Sequence, residues 1–396
     1  MTTEMASGQT SMIGLDDERL ARASLTYLAE PSDQRLGVLT ETYGAAPVLA
    51  GIRTGTLPGP SAPPGPARDA ERKSLERWQS RLGELPTQEG LERLCRDGIR
   101  LVCPGDAEWP ARLDDLGAAR PYALWLRGRA DLRFSCLRSM SIVGSRAASA
   151  YGSYMACELA AGVAGQGWTV VSGAAYGVDG AAHSSALNAE GTTVAVLACG
   201  VDMPYPAGYK DLLDAIASHG VVASEWPPGR NPTRLRFLVR NRVIAALSPG
   251  TLVVEAGERS GALNTARYAR DLGRTLMAVP GPVTSGQSRG CHTIIRDWGG
   301  TLVTSAGEAV EDVSRISDQP GETPVTPETG PVLPRDQLDP ESATVLDALP
   351  VRGGLGTTDV AVKAGLPPAD VLRLLGGLAA GGFAERCERG WRIRRT

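Results

Sequence analysis

The strongest constraint on this chain lies in Ser141–Val303, where short apolar strands repeatedly run into turns of small residues that open helices. Three of these junctions read SIVGSRAAS (Ser141–Ser149), VVSGAAYGVDGAAH (Val170–His183) and VEAGERSGALNTA (Val254–Ala266). A strand that stops in small residues and starts a helix leaves unpaired backbone N–H groups, and anions bind there. Strands are predicted at Ser141–Val143, Thr169–Ser172, Thr193–Leu197, Val221–Ser224, Thr251–Val254, Thr275–Val279 and Thr301–Val303. Helices between most of them imply a parallel, doubly wound α/β sheet. Val170–Val171, Val194–Leu197 and Leu252–Val254 are apolar throughout, as strands covered on both faces must be. Several small-residue turns along one edge of such a sheet make a groove for a phosphate-bearing ligand.

The rest of the chain falls into flanking pieces. Residues 1–56 read as a small helical module, with ERLARASLTYL, QRLGVLTETYG and APVLAGI broken at Pro31 and Gly44. Residues 57–99 read as a Pro/Gly-rich loop followed by a helix over Glu71–Arg96, and residues 100–316 as the core, entered through EWPARLDDL and a short strand in YALWLRG. Residues 317–340 are acidic, and the six prolines of Asp318–Pro340 make them a linker. Residues 341–396 carry three helical segments and a terminal hairpin pattern, FAERCERGWRIRR, the order of a winged helix. Its third helix has one arginine, Arg373. Its hairpin has Arg386, Arg389, Arg392, Arg394 and Arg395, a cluster suited to phosphate or to a protein partner.

Composition excludes several classes. The longest apolar runs fall short of the roughly 18 residues a membrane helix needs, and MTTEMASGQTSMIGLDDERL lacks the pattern of a signal peptide. Seven scattered cysteines without a CxxC pair imply reduced thiols, a cytoplasmic location and no zinc site. The net charge of −3 hides a polarity. Arg230–Gly300 holds eleven arginines against four acids, whereas Ala306–Glu341 holds two arginines against nine acids. That is compatible with one localised anion site in the core.

Within the core, Gly144 permits a tight turn, Ser145 can bond phosphate, and Arg146 offers a two-pronged donor. Gly173, Ala174, Ala175 and Gly177 let a ligand approach the backbone. Asp179 fits a helix cap better than a base, and His183 a structural group better than a catalyst. Lys210, one of only three lysines, follows the third strand and is read as a phosphate contact, with Tyr205 or Tyr209 as stacking surfaces. Arg234, Arg236, Arg240 and Arg242 form the densest basic patch, although some of them could instead pair with Glu225 or Glu255. Ser260, Asn264 and Thr265 supply neutral donors. Neither GxxxxGK[ST] nor GxGxxG occurs, and no paired carboxylates, metal cluster or Ser-His-Asp spacing stands out.

The ordered motifs GSR, SGxAxGxDxxAH, VAVLxxGxDxxYP, RNRxIAxLS, VVEAxxxSGxxxTAxxA and AVPG resemble the DNA-processing protein A family (DprA/Smf) over about Ser141–Val303. The resemblance implies an extended Rossmann-type core in a non-enzymatic protein without cofactors that binds and protects single-stranded DNA in a positive pocket. It also implies a homodimer that loads a RecA-type recombinase onto those strands during recombination, DNA uptake, competence and natural transformation. The implied DNA-binding set is Gly144, Ser145, Arg146, Ser172, Gly173, Gly177, Lys210, Arg240, Asn241, Arg242, Ser260, Gly261 and Thr265. Leu238 stands where the family commonly has Pro, and Ala246 where Gly is common.

Two other readings compete. A nucleoside-monophosphate phosphoribohydrolase would carry a PGGxGT turn, absent here, with Glu255 as the nearest acid. A transcription factor would want a more basic recognition helix.

Overall fold

In the computed structural model, residues 17–60, 64–317, 338–351 and 353–394 are described. They fall into two compact units on either side of Pro320.

The first unit opens with helices α1 (Asp17–Leu28), α2 (Gln34–Tyr43), α3 (Ala45–Thr54), α4 (Pro66–Gln79) and α5 (Gln88–Arg96). Where one helix is predicted over Glu71–Arg96, Gly83 and Pro86 interrupt it, and a 3-10 turn at Leu82–Glu84 separates α4 from α5. Asp33 caps α2, and the Glu18 carboxylate caps α3 by accepting from the N–H groups of Ala45 and Ala46. Leu25, Leu28, Leu36, Val48, Ile52 and Trp78 form the module's core.

Next come β1 (Ile99–Val102), β2 (Leu124–Gly128), α6 (Leu132–Leu137), β3 (Ser139–Val143), α7 (Ala150–Gly165), β4 (Thr169–Ser172), α8 (Val178–Asn188) and β5 (Thr193–Val196). They continue through α9 (Lys210–His219), β6 (Val221–Ser224), α10 (Arg234–Leu247), β7 (Gly250–Val253), α11 (Ala262–Asp271), β8 (Thr275–Ala278), α12 (Arg289–Asp297), β9 (Thr301–Leu302) and α13 (Ala306–Ser317). EWPARLDDL contributes to a 3-10 segment, Ala111–Ala119.

All seven predicted strands are present, with ends shifted by two residues or fewer. One nine-stranded sheet takes the order β1-β2-β6-β5-β4-β3-β7-β8-β9. From β6 to β9 every pairing is parallel, and β1 and β2 add an antiparallel edge that the alternation did not forecast. Alternate strand residues serve opposite layers. Ile142, Val170, Leu252 and Met277 pack with α7, α8 and α13. Their neighbours Val143, Val171, Val253 and Ala278 pack with α10, α11 and α12. With both faces buried, the polar residues these strands carry are small hydroxyls, such as Ser141, which donates to the Ile244 carbonyl at 2.8 Å.

The chain runs outward from β3 through β4 and β5 to β6. Helix α10 then carries it back to β7, on the other side of β3. The strand order therefore reverses between β3 and β7, which is where open α/β sheets bind ligands. The helical module packs against the far edge, where the Trp125 indole N–H donates to Thr26 Oγ1 at 3.2 Å.

The second unit holds α14 (Pro340–Ala348), α15 (Thr357–Ala364), α16 (Pro368–Ala380) and a hairpin of β10 (Ala384–Cys387) and β11 (Gly390–Ile393). Three helices and a hairpin are thus present in the forecast order. Most of the acidic linker, 318–337, and Arg395 lie outside the described residues. No helix among the described residues is long and apolar enough to cross a membrane.

Candidate nucleic-acid interface

A cleft of about 560 Å³ opens at the strand-order reversal, at the carboxyl ends of β3, β4 and β7 and against α10. Its walls come from turns far apart in sequence. Gly144, Ser145 and Arg146 follow β3, Ala175 and Asp179 follow β4, and Arg259–Ala262 follow β7. Backbone bonds hold these turns together. Ser145 N–H donates to the Glu255 carbonyl at 2.7 Å, and Val178 N–H to the Ser145 carbonyl at 3.2 Å. Gly177 makes the second contact feasible: its φ is +79°, and a Cβ there would sit 2.3 Å from the Ser145 oxygen.

The cleft is lined by four arginines, Arg146, Arg234, Arg240 and Arg259, and by one acid, Asp179. Arg146, Arg234 and Arg259 are exposed. Arg240 is only 3% exposed. Its guanidinium donates to the carbonyls of Gly173, at 2.7 Å, and of Val196. Among the described residues none of the four arginines forms an ion pair with a carboxylate. Burial pulls the Arg240 pKa down to about 10, while nearby Asp179 works the other way, so Arg240 remains a cation at neutral pH. Burial pushes the Asp179 carboxyl up, opposed by Arg240, by the N–H groups of Ala175 and Gly173, and by Arg146. A buried cation bonded only to neutral carbonyls leaves strong potential for an incoming anion.

Helix α10 supplies this wall through spacing. Arg234, Phe237 and Leu238, and Asn241 recur at three- and four-residue steps and so share one face. The Arg146 guanidinium sits 4.4 Å from the Phe237 ring centre and that of Arg240 5.8 Å from it. Tyr205 lies 5.5 Å from Phe237, and Tyr176 lies 5.0 Å from Tyr209. Tyr205 and Tyr176 are exposed, so aromatic faces stand beside the basic cleft.

The structure brings Gly144, Ser145, Arg146, Arg240, Asn241, Ser260, Gly261 and Thr265 of the expected set to the cleft. Asn241 acts largely as a brace: its amide donates to the Gly261 carbonyl at 3.2 Å and to Asn264 Oδ1 at 3.3 Å. Gly173 contributes by close approach, since a Cβ there would lie 2.5 Å from the Arg240 guanidinium.

Three expected contacts are placed elsewhere. Ser172 is fully buried and donates to the Ile142 carbonyl at 2.6 Å, a bond inside the sheet. Arg242 points away from the cleft into a two-point ion pair with Glu225, both bonds 2.6 Å, and also donates to the Ala119 carbonyl. Lys210 begins α9 outside the cleft and binds Asp214 at 2.8 Å, with Arg127 on the same carboxylate.

Other groups are accounted for structurally. Glu255 is 3% exposed and caps α7, accepting from Ser149 N–H at 2.8 Å and Ser149 Oγ at 2.6 Å. His183 Nδ1 lies 2.7 Å from Thr193 Oγ1, and burial takes its pKa down to about 3, keeping it neutral. Asp179 accepts from Ala175 N–H at 3.3 Å. No metal-ligand cluster exists among the described residues. Phe237 and Arg259 also line the cleft, outside the expected set. Phe237 is signalled by its helical spacing to Arg234 and Asn241, and Arg259 by its place in the turn after β7.

Comparison with known proteins gives a consistent result. The sequence model for DNA recombination-mediator protein A matches residues 100–314. A Mycobacterium tuberculosis protein named as a DNA processing protein DprA is 44% identical over 96% of both chains. Protein Smf of Escherichia coli is 35% identical over 70% of this chain and 74% of its own. The crystal structure of DprA from Streptococcus pneumoniae is 29% identical and superposes with a TM-score of 0.58 over 76% of this chain and 98% of its own. A Helicobacter pylori DprA structure, described for its single-stranded DNA binding mode, is 25% identical with a TM-score of 0.50, covering 55% of this chain and 96% of its own. With the family's core spanning the sheet and the cleft just described, the chain belongs to the DNA recombination-mediator protein A (DprA/Smf) family.

Proposed function

We propose that this protein binds single-stranded DNA in the cleft between β3 and β7, protects it, and as a homodimer loads a RecA-type recombinase onto it in recombination and DNA uptake. The observation that carries the DNA-binding step is Arg240. It is a buried cation at the cleft floor that makes no direct ion pair among the described residues, with Asp179 nearby, and it is accompanied by exposed Arg146, Arg234 and Arg259. Phosphates bind these guanidinium groups beside the start of α11, whose first N–H groups are already held by Ser260 Oγ and by the Ser260 and Gly261 carbonyls. Unstacked bases lie on Phe237 and Tyr205, which offer ring faces to any base. Binding is therefore salt-sensitive and weakly dependent on sequence. Lys210 contacts the strand only after it leaves the cleft, by exchanging Asp214 for phosphate.

We assign a binding role rather than an enzymatic one, exercised in the cytoplasm. The phosphoribohydrolase reading needs a free acid, and Glu255 is committed to the α7 N-terminus. The test is fluorescence anisotropy with labelled poly-dT across salt concentrations, against the matching duplex and with dTMP hydrolysis as a control. Salt-sensitive single-strand binding that Arg146→Ala weakens supports the reading. Hydrolysis of the nucleotide, or poly-dT binding indifferent to Arg146→Ala, removes it.

A further inference from the structure

We infer that the C-terminal unit carries a second DNA site, in which the β10–β11 hairpin grips the phosphate backbone of duplex DNA. Charge in this small unit is segregated. Residues 338–372 hold five acids against two basic residues, whereas 373–396 hold six arginines against two glutamates. Along the hairpin Glu385 pairs with Arg392, 2.7 Å away. Arg386, Arg389 and Arg394 are exposed and form no ion pair among the described residues. The register sets Arg386 opposite Trp391, Arg389 in the turn and Arg394 just past Ile393, so the three guanidinium groups spread positive charge along the length of the hairpin.

The hairpin is held firmly. Leu355 and Trp391 exchange backbone bonds of 3.0 and 2.8 Å, Ile393 N–H donates to the Pro350 carbonyl at 3.1 Å, and Arg394 N–H to the Phe383 carbonyl at 2.9 Å. Its arginines are therefore presented from a fixed frame, not from a loose tail, which lowers the ordering cost of binding.

The form of DNA follows from what the hairpin lacks. Phe383 and Trp391 are part-buried against the unit's own core of Val371, Leu375 and Ala384, so most of each ring is already used in packing. Single strands are gripped by charge plus stacking, whereas duplex backbone is gripped by charge alone. The cleft of the first unit has both, and the hairpin has only the charge. On the helix just before it, Arg373, Gly376 and Gly377 are exposed, and a methyl group added at either glycine would meet open space. That open surface leaves space for a bulky ligand on this helix.

The experiment uses the full chain, a blunt-ended labelled duplex and labelled poly-dT, each titrated over a salt series. The triple variant Arg386→Ala/Arg389→Ala/Arg394→Ala is expected to lower duplex affinity about tenfold or more and to flatten the log–log salt slope by about 2 to 3, at about 0.9 per lost phosphate contact. Poly-dT affinity stays within about twofold, because the cleft supplies that binding. The triple lysine variant keeps the duplex slope, since point charges suffice for phosphate, and so separates lost charge from misfolding. Absence of duplex binding by the parent protein, an unchanged slope in the alanine triple, or an equal loss on poly-dT each overturns the assignment. An unchanged slope together with loss of binding to an acidic protein would make the hairpin a protein-contact surface. Arg146→Ala reports on the cleft alone, so the two sites can fail independently.

Discussion

The Arg146 guanidinium lies 4.4 Å from the ring centre of Phe237, joining the turn after β3 to the helix that crosses back to β7. The ring thereby holds an exposed cation over the mouth of the cleft while the same helix places Arg240 beneath. Charge and stacking surface are coupled at this one contact. Phe237→Ala should therefore lower poly-dT affinity by about 1–3 kcal/mol, the usual worth of one stacked base, with little change in salt slope. Arg146→Ala should lower both affinity and slope, the slope by about 0.9. Anisotropy titrations of the two variants over a salt series read both quantities. Equal slopes for the two variants would contradict this division of labour.

Arg242 and Arg240 are two residues apart with opposite consequences. The Arg242–Glu225 pair is almost wholly buried, so deleting one partner strands a charge inside the protein. Arg242→Ala should cost about 3–5 kcal/mol of stability. Arg242→Met combined with Glu225→Leu should recover much of that loss, because an apolar pair replaces both charges. Chemical denaturation measures both. In the folded double variant, poly-dT affinity should match the parent, since Arg242 faces away from the cleft.

Much of this architecture is legible in the sequence because its physical signals are local. Strands buried on both faces read as mostly apolar runs, and β3, β4 and β7 each lead into a turn rich in small residues. The antiparallel edge is harder to see, because β1 carries Arg100, whose charge is neutralised by Glu108 eight residues later. The candidate cleft is legible where small-residue turns line it, as at Gly144–Arg146 and Ser260–Gly261. It is illegible where identical side chains diverge through packing. Two residues apart on a helix, Arg240 and Arg242 must diverge and a Glu225 pair is foreseeable, but which arginine takes it is set by the crossing of α10 over the sheet. Ser172 likewise sits in a ligand-like motif while its hydroxyl is used inside the sheet.

His183 is neutral and buried, its pKa drawn down to about 3 chiefly by desolvation and secondarily by Arg240. In the unfolded chain a histidine titrates near 6.5. Above that pH the folded and unfolded forms bind the same number of protons at this site. As pH falls from about 6.5 toward 3, the unfolded chain takes up a proton that the fold refuses, so stability drops with decreasing pH. Replacing the imidazole by a neutral amide, His183→Gln, should remove about one proton's worth of slope over that window. Denaturation midpoints at a series of pH values measure it. Equal slopes for parent and variant would mean the imidazole titrates normally in the fold.

Gly173 offers the sharpest test of the cleft floor, because it touches the ligand region only through Arg240. A Cβ at this position would lie 2.5–2.7 Å from three guanidinium atoms, too close for any real contact. The guanidinium cannot simply retreat: one of its bonds is to the Gly173 carbonyl itself and another to Val196. Gly173→Ala should push it off these carbonyls and toward the cleft, at a cost in stability of about 1–3 kcal/mol for overpacking. The cation remains but is misplaced, so poly-dT affinity should fall while the salt slope changes less than in Arg146→Ala. If Gly173→Ala binds as the parent does, Arg240 acts only as internal support for β4 and β5, and the exposed arginines carry the phosphate contacts alone.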